Sequence, residues 1–208
     1  GLAFLDLVSK RNKEFFDFET TQIVIPKTVV LCVDKFDEFM EQNQLYGVAL
    51  SDNLSDDEIL KHFLNAKLPR SVVADLYAYL KAVDTPIAIR SSSLLEDAHY
   101  QPFAGVYSTY MVPNVKGHRI TTLMMVCEAI KAVYASVYYK DSKTYMKATK
   151  NVINREKMAV VLQEVCGRPY GNRFYPSFSG VGRSLNFYPI GNEKPEDGVV
   201  NVALGLGK

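Results

Sequence analysis

Thr85-Pro-Ile-Ala-Ile-Arg-Ser-Ser-Ser-Leu-Leu-Glu-Asp-Ala-His-Tyr-Gln-Pro-Phe-Ala-Gly-Val-Tyr-Ser-Thr-Tyr-Met-Val-Pro-Asn114 is the stretch whose reading decides the fold. Pro86 opens a short apolar run, Ile87 to Ile89, that reads as a buried strand ending at Arg90, with hydroxyls following at Ser91, Ser92 and Ser93. That order suits an anion. An Arg fork binds phosphate oxygens in a bidentate way, and serine hydroxyls with the backbone N–H groups of a turn add short donors around the same oxygens. The acidic pair Glu96 and Asp97 leads on to Phe103-Ala104-Gly105-Val106, where two small residues let the backbone approach a ligand, and Val106 to Val112 alternates as a returning strand. A second reading stands beside this one: Arg90 as an ordinary strand-end cation paired with Glu96 or Asp97, and the serines as a capping cluster.

Composition bounds the rest. A chain of 208 residues, 48% hydrophobic and 12% aromatic, can bury a sizeable core as one large domain or two lobes. Lys and Arg total 24 against 23 Asp and Glu, so no basic field argues for a nucleic-acid partner. Cys32, Cys127 and Cys166 lie far apart with no Cys-x-x-Cys spacing, and read as core thiols of a reducing compartment. No unbroken run of 18 or more apolar residues occurs, and Asp6, Lys10 and Arg11 stand where a signal peptide would be apolar. No membrane span is expected, and the cytoplasm is the expected location.

Working outward, Leu2 to about Phe15 or Phe16 has helical spacing, and Ile23-Val24-Ile25 and Val29-Val30-Leu31 read as short strands broken at Pro26. Asp34 is the expected cap of a helix carrying Phe36, Phe39 and Met40. Ser55 with Glu58 forms a capping box for a helix from Asp56 to Asn65, and Pro69 opens a second helix to Val83. His62, within the first, reads as a surface or half-buried residue, not a ligand, with no partner set around it. After a turn at Lys116-Gly117-His118, apolar residues from Ile120 to Val137 recur at helical spacing, giving a long amphipathic helix. Lys157 to Val165 is a dense apolar strand ending in Gln163 and Glu164, and Val199 to Lys208 is a strand running into a glycine turn.

Ile-Ala-Ile-Arg-Ser-Ser-Ser, then Glu-Asp, then Phe-Ala-Gly resembles the signature "V-A-V-R-S-S-A…E-D…F-A-G" of the nucleotide-binding domain shared by phosphoenolpyruvate synthase and pyruvate phosphate dikinase. Further segments are similar in family order: Ala129 to Val137 to "A-I-K-x-V-W-A-S-L", Met158 to Val165 to "M-A-V-L-V-Q-x-M-V", and Ser179-Gly180-Val181 to "S-G-V-x-F". Gly1-Leu2-Ala3 matches only the tail of a "G-G-K-G-x-G-L-A" loop whose Lys contacts ATP phosphates, so a fragment truncated at both ends is expected. Three departures stand out. Met146 occupies a usual Arg position, Gly182-Arg183 replaces a bulky pair, and Lys208 stands where the family has Glu.

The resemblance implies an α/β (α+β) fold of the ATP-grasp type over residues 1–208, two lobes of mixed and antiparallel sheets with flanking helices that clamp ATP and Mg²⁺. It implies phosphate or nucleotide contacts at Arg90, Ser91, Ser92, Glu96, Asp97, Ala104 and Gly105, and adenine contacts at Gln163, Glu164 and Val165, with Val161 and Leu162 adding an apolar slot. Arg90 is the expected catalytic residue, since phosphoryl transfer depends chiefly on positioning and charge neutralisation. The implied reaction passes phosphate from ATP through a phosphohistidine on a separate domain to pyruvate, with a homodimer as a candidate assembly. No metal ligand is assigned, because the acidic metal-binding segment is expected beyond residue 208. Arg168, Arg173 and Arg183 are either extra cations near the nucleotide or solvated loop residues. Two alternatives remain open: a divergent ATP-sensing or scaffold module, and a related dikinase using pyruvate plus phosphate, a glucan or a drug hydroxyl.

Overall fold

The computed structural model describes residues 2–12, 14, 17–93, 96, 107–114, 117–148 and 156–206. Two compact units divide at Val165 and Cys166. The first is built on a four-stranded sheet of β3 (Thr28–Leu31), β4 (Ile87–Ser93), β5 (Tyr110–Val112) and β6 (Met158–Glu164), in the order β3-β6-β4-β5. Every strand pairing among the described residues is antiparallel, so the mixed sheet expected from the sequence is absent from that set. The longest run of pairing joins β4 to β6, from Ile87 opposite Glu164 to Ser93 opposite Met158.

Side chains alternate across a strand, so this register assigns one face of the sheet to Ile87, Ile89, Met158, Val160, Leu162 and Val112. That face is the core. All six are buried, under α2 (Val33–Gln42), α4 (Asp56–Asn65), α5 (Arg70–Ala82) and α6 (Arg119–Ser136). The capping box forms as expected: the Glu58 amide donates to Ser55 Oγ at 3.3 Å, and the Ser55 amide donates to the Glu58 carboxylate at 2.9 Å. Pro69 caps α5 from just outside it. The Asp34 cap does not form. Cys32 is the N-cap residue of α2 and makes no side-chain bond there, while Asp34 lies in the first turn, where a carboxylate suits the helix dipole. Two short helices complete the first unit, α3 (Tyr46–Ala49) and α7 (Lys140–Ala148).

Several local expectations change for identifiable reasons. Helix α1 (Leu2–Arg11) stops before Phe15 and Phe16, which lie outside the described residues. β1 (Asp17–Phe18) and β2 (Thr21–Gln22) pair as a minimal hairpin, whereas Ile23 to Ile25 join no ladder. Pro26 has no N–H to offer, and pairing with β6 begins beyond it at Thr28. Cys32 and Cys166 are exposed and Cys127 is half-buried, so the cysteines are not the core set expected. Helix α6 is not a simple one-sided amphipath: Ile120 and Met124 are exposed near its start, while Ala132 to Ser136 are buried on consecutive positions, hence on every side. By length and composition Arg119–Ala148 is apolar enough to cross a membrane, but 56% of its most apolar window is buried, as in a core helix.

Tyr134 sits at the centre of this packing, edge-on to Phe36 with ring centroids 5.0 Å apart and tilted against Phe39 at 5.4 Å. Its hydroxyl is buried without a hydrogen-bond partner among the described residues, and burial pushes the phenol well above its ordinary pKa. An unpaired buried hydroxyl costs about 1–3 kcal/mol. Tyr134→Phe is therefore expected to leave the thermal midpoint unchanged or raise it by a few degrees; a fall in a melting experiment would show that the hydroxyl is satisfied.

The second unit, described by itself, holds two hairpins: β7 (Arg168–Tyr170) with β8 (Arg173–Tyr175), and β9 (Phe178–Arg183) with β10 (Val199–Leu204). Gly171, at φ +62°, makes the tight turn of the first, and Tyr170 stacks on Tyr175 at 4.3 Å. In the second, a Cβ on Gly180 would lie 2.5 Å from the Asn201 carbonyl oxygen, so only glycine allows the strands to approach this closely. Gly182 meets nothing nearer than Val200 Cγ2 at 3.9 Å, and the Gly182 departure is accordingly of little steric consequence.

Candidate functional site

The face of the first sheet opposite the core is the more open one: of the residues the register puts there Arg90, Val30 and Met111 are exposed, Ala88 is buried and the rest are half-buried. From β3 come Thr28 and Val30; from β6, Ala159, Val161 and Gln163; from β4, Ala88, Arg90 and Ser92; from β5, Met111. Arg90 lies directly across from Val161, making Gln163 its diagonal neighbour, a relation that spans about 7–8 Å and is within reach of a long side chain. Arg90 is exposed, with no ion pair or hydrogen bond among the described residues. Among the described residues nothing occupies the donors of its guanidinium. The residues of this face named above include no carboxylate, and Val30 and Val161 provide an apolar patch beside the cation.

β4 does not end at Arg90, as the sequence reading has it, but continues to Ser93 because β6 supplies a partner for each residue. The continuation separates the serines. Ser92 shares the open face with Arg90, while Ser91 and Ser93 point to the other side, where Ser91 Oγ donates to Glu96 Oε1 at 2.8 Å and the Ser93 amide donates to Glu96 Oε2 at 3.0 Å. The Glu96 amide returns a long bond to Ser93 Oγ at 3.4 Å. Glu96 thus clasps the end of β4, and it makes no pair with Arg90. Asp97, Ala104 and Gly105 lie outside the described residues.

At the other end of the face, Gln163 Nε2 donates to Thr28 Oγ1 at 3.1 Å, which orients the carboxamide along the sheet surface. The Glu164 amide donates to the Lys27 carbonyl at 3.0 Å, and its carboxylate accepts from the Lys27 amide at 3.3 Å. Tyr79 Oη donates to the same Lys27 carbonyl at 3.1 Å, and burial, reinforced by Glu164, pushes its pKa up to about 12. The Val165 amide donates to Pro86 O at 2.9 Å. Both exit amides are therefore occupied, and Glu164, opposite Ile87 in the ladder, falls on the other side of β6 from Gln163, which leaves carbonyls and the Gln163 side chain as the groups able to read a base edge. Leu162, placed by the sequence reading in an apolar slot, is fully buried on the core face; Val30 takes the place beside Val161.

Thr28, Lys27 and Val30 were not singled out from the sequence. The signal that reveals them is strand parity, which needs the β3-β6 register. Among the described residues no group of three or more His, Cys, Asp or Glu could hold a metal ion. Met146, the residue at a usual Arg position, is buried against the core, so this change reads as packing. In the second unit Arg168, Arg173 and Arg183 are exposed residues of strands, not loops, and Lys208 lies outside the described residues.

Comparison with known proteins gives two findings. The family described as pyruvate phosphate dikinase, AMP/ATP-binding domain, matches residues 11–208. An uncharacterized phosphotransferase, YvkC, of Bacillus subtilis (strain 168) is 28% identical over 184 residues, which cover 88% of this chain and 20% of that protein. The chain thus spans a fifth of the length of that relative.

Proposed function

Because this chain belongs to the pyruvate phosphate dikinase AMP/ATP-binding domain family, we propose that it is the ATP-binding part of a larger cytoplasmic phosphotransferase of the phosphoenolpyruvate synthase type. In the overall reaction ATP, pyruvate and water become AMP, phosphoenolpyruvate and phosphate. A histidine on a separate domain carries the phosphoryl groups: its ring nitrogen bonds to phosphorus as the bridging bond breaks, and AMP departs. The observation that carries this reading is the β4-β6 register, which sets Arg90 and Gln163 on one sheet face as diagonal neighbours.

Each residue then has a role that follows from its position. The Arg90 fork holds phosphate oxygens and offsets charge that spreads over them in the transition state, with the Ser92 hydroxyl as a second donor on the same face. Gln163 reads the base edge from the other end, held by Thr28, while Glu164 and Val165 contribute carbonyls and Val30 and Val161 lie against the base. Asp97, Ala104 and Gly105 would complete the phosphate side. Ser91 and Glu96 act indirectly, by fixing the end of the strand that bears Arg90. Mg²⁺ accompanies ATP in such chemistry and neutralises phosphate charge, but the described residues do not form a set to hold it, and no step is assigned to it.

The test is product analysis of the full-length protein by ³¹P NMR with ATP and pyruvate. AMP, phosphoenolpyruvate and phosphate in equal amounts are expected. Pyrophosphate formed only when phosphate is added would reassign the reaction to a pyruvate phosphate dikinase. AMP formed only with a glucan or drug hydroxyl would name another acceptor. Nucleotide binding with no turnover and no phosphohistidine would favour an ATP-sensing module, the reading motivated by Met146, Gly182-Arg183 and Lys208.

A further inference from the structure

We propose that the groove between α7 and the loop leading into α4 is a second anion site, separate from the Arg90 face, which takes the phosphate group of a phosphomonoester or free phosphate. The groove has a volume of about 640 Å³, and Lys140, Lys143, Lys147, Thr144, Ser55 and Tyr138 contribute to its walls. Small-molecule sites fall at about 300–1,000 Å³, so there is room for a phosphate with an organic group attached. Spacing of three and four residues places the three lysines along one side of α7.

Two carboxylates share the groove, and each is already engaged. Asp52 pairs with Lys147 at 3.4 Å, and Asp56 Oδ1 accepts the Lys140 amide at 2.8 Å, closing the first turn of α7. The cations are less fully engaged. Lys143 Nζ donates to the Ser51 carbonyl at 2.7 Å, which occupies one of its three N–H bonds, and the Lys140 side chain has no partner among the described residues. Burial, with a smaller contribution from Lys147, lowers the Lys143 pKa despite the nearby Asp52 and Asp56, as expected of an ammonium partly removed from water. Three lysines against two aspartates leave one net positive charge in the lining. A phosphate monoanion or dianion suits that balance and supplies acceptor oxygens for the spare N–H groups of Lys140 and Lys143 and for the Thr144 hydroxyl.

The experiment is calorimetric titration of the protein with inorganic phosphate and, separately, with glycerol 3-phosphate, chloride being used to match ionic strength. Saturable binding is expected, weakened at least tenfold in Lys140→Ala/Lys143→Ala and retained in Arg90→Ala, in which the groove is the remaining proposed phosphate site. Tighter binding of glycerol 3-phosphate assigns the organic ester, and equal binding assigns free phosphate. Absence of saturable binding at millimolar phosphate, equal binding by the double variant, or loss of binding in Arg90→Ala instead would overturn the proposal. Failure of the nucleotide reading would leave this result untouched, because the Arg90 variant separates the two sites. Should the double variant fail to fold by circular dichroism, Lys140→Glu serves: this exposed side chain has no partner among the described residues, and the reversed charge must still weaken binding.

Discussion

Arg90→Ala is expected to lower kcat of the full-length enzyme about 10²–10³-fold, equivalent to about 3–4 kcal/mol, with the melting temperature unchanged. Loss of one preorganised donor to a developing phosphate charge has an effect of that size. The structural cost is small because Arg90 is exposed and unpaired among the described residues, and surface substitutions of this kind stay within about ±0.5 kcal/mol. Arg90→Lys keeps the charge but loses the planar fork, so it should recover only part of the rate. Steady-state kinetics beside a thermal melt decides the matter: wild-type turnover in a folded Arg90→Ala protein would remove the residue from the mechanism.

The elements that were legible in the sequence are those in which a local signal and the tertiary environment agree. Ser55 and Glu58 make the same two bonds in an isolated helix as in this one, and the apolar run after Lys157 forms the expected strand, although only Met158, Val160 and Leu162 of it are buried. Parity is different. The sequence places Arg90 and three serines in order, but which of them share a face depends on how far β4 pairs, and a one-residue change exchanges the two faces. Pairing through Ser93 is what assigns Ser91 to Glu96 and Ser92 to the side of Arg90. The same applies to Thr28, which is an unremarkable strand-start residue until the β3-β6 ladder sets it opposite Gln163. Asp34 failed as a cap because the choice between adjacent start positions lies in backbone geometry, and Cys32 holds the extended conformation that the cap position requires.

Ile89→Ala should give the converse result one residue away. Ile89 is fully buried on the core face, opposite Leu162 in the β4-β6 ladder and next along β4 to Ile87 on the same side. Truncation removes apolar contacts and leaves a cavity in the sheet layer, costing about 2–5 kcal/mol depending on how far the helices above can settle. At roughly 2–4 °C per kcal/mol for a chain of this size, the midpoint should fall by about 4–20 °C. Below that midpoint kcat should stay within a few-fold of wild type, since the guanidinium on the opposite face keeps its place as long as the β4-β6 pairing survives. A loss of turnover in Ile89→Ala as deep as in Arg90→Ala, at a temperature where the variant is fully folded, would mean that the two faces of β4 are not separable. The open face would then owe its activity to the rigidity of the core beneath it, not to the charge it presents.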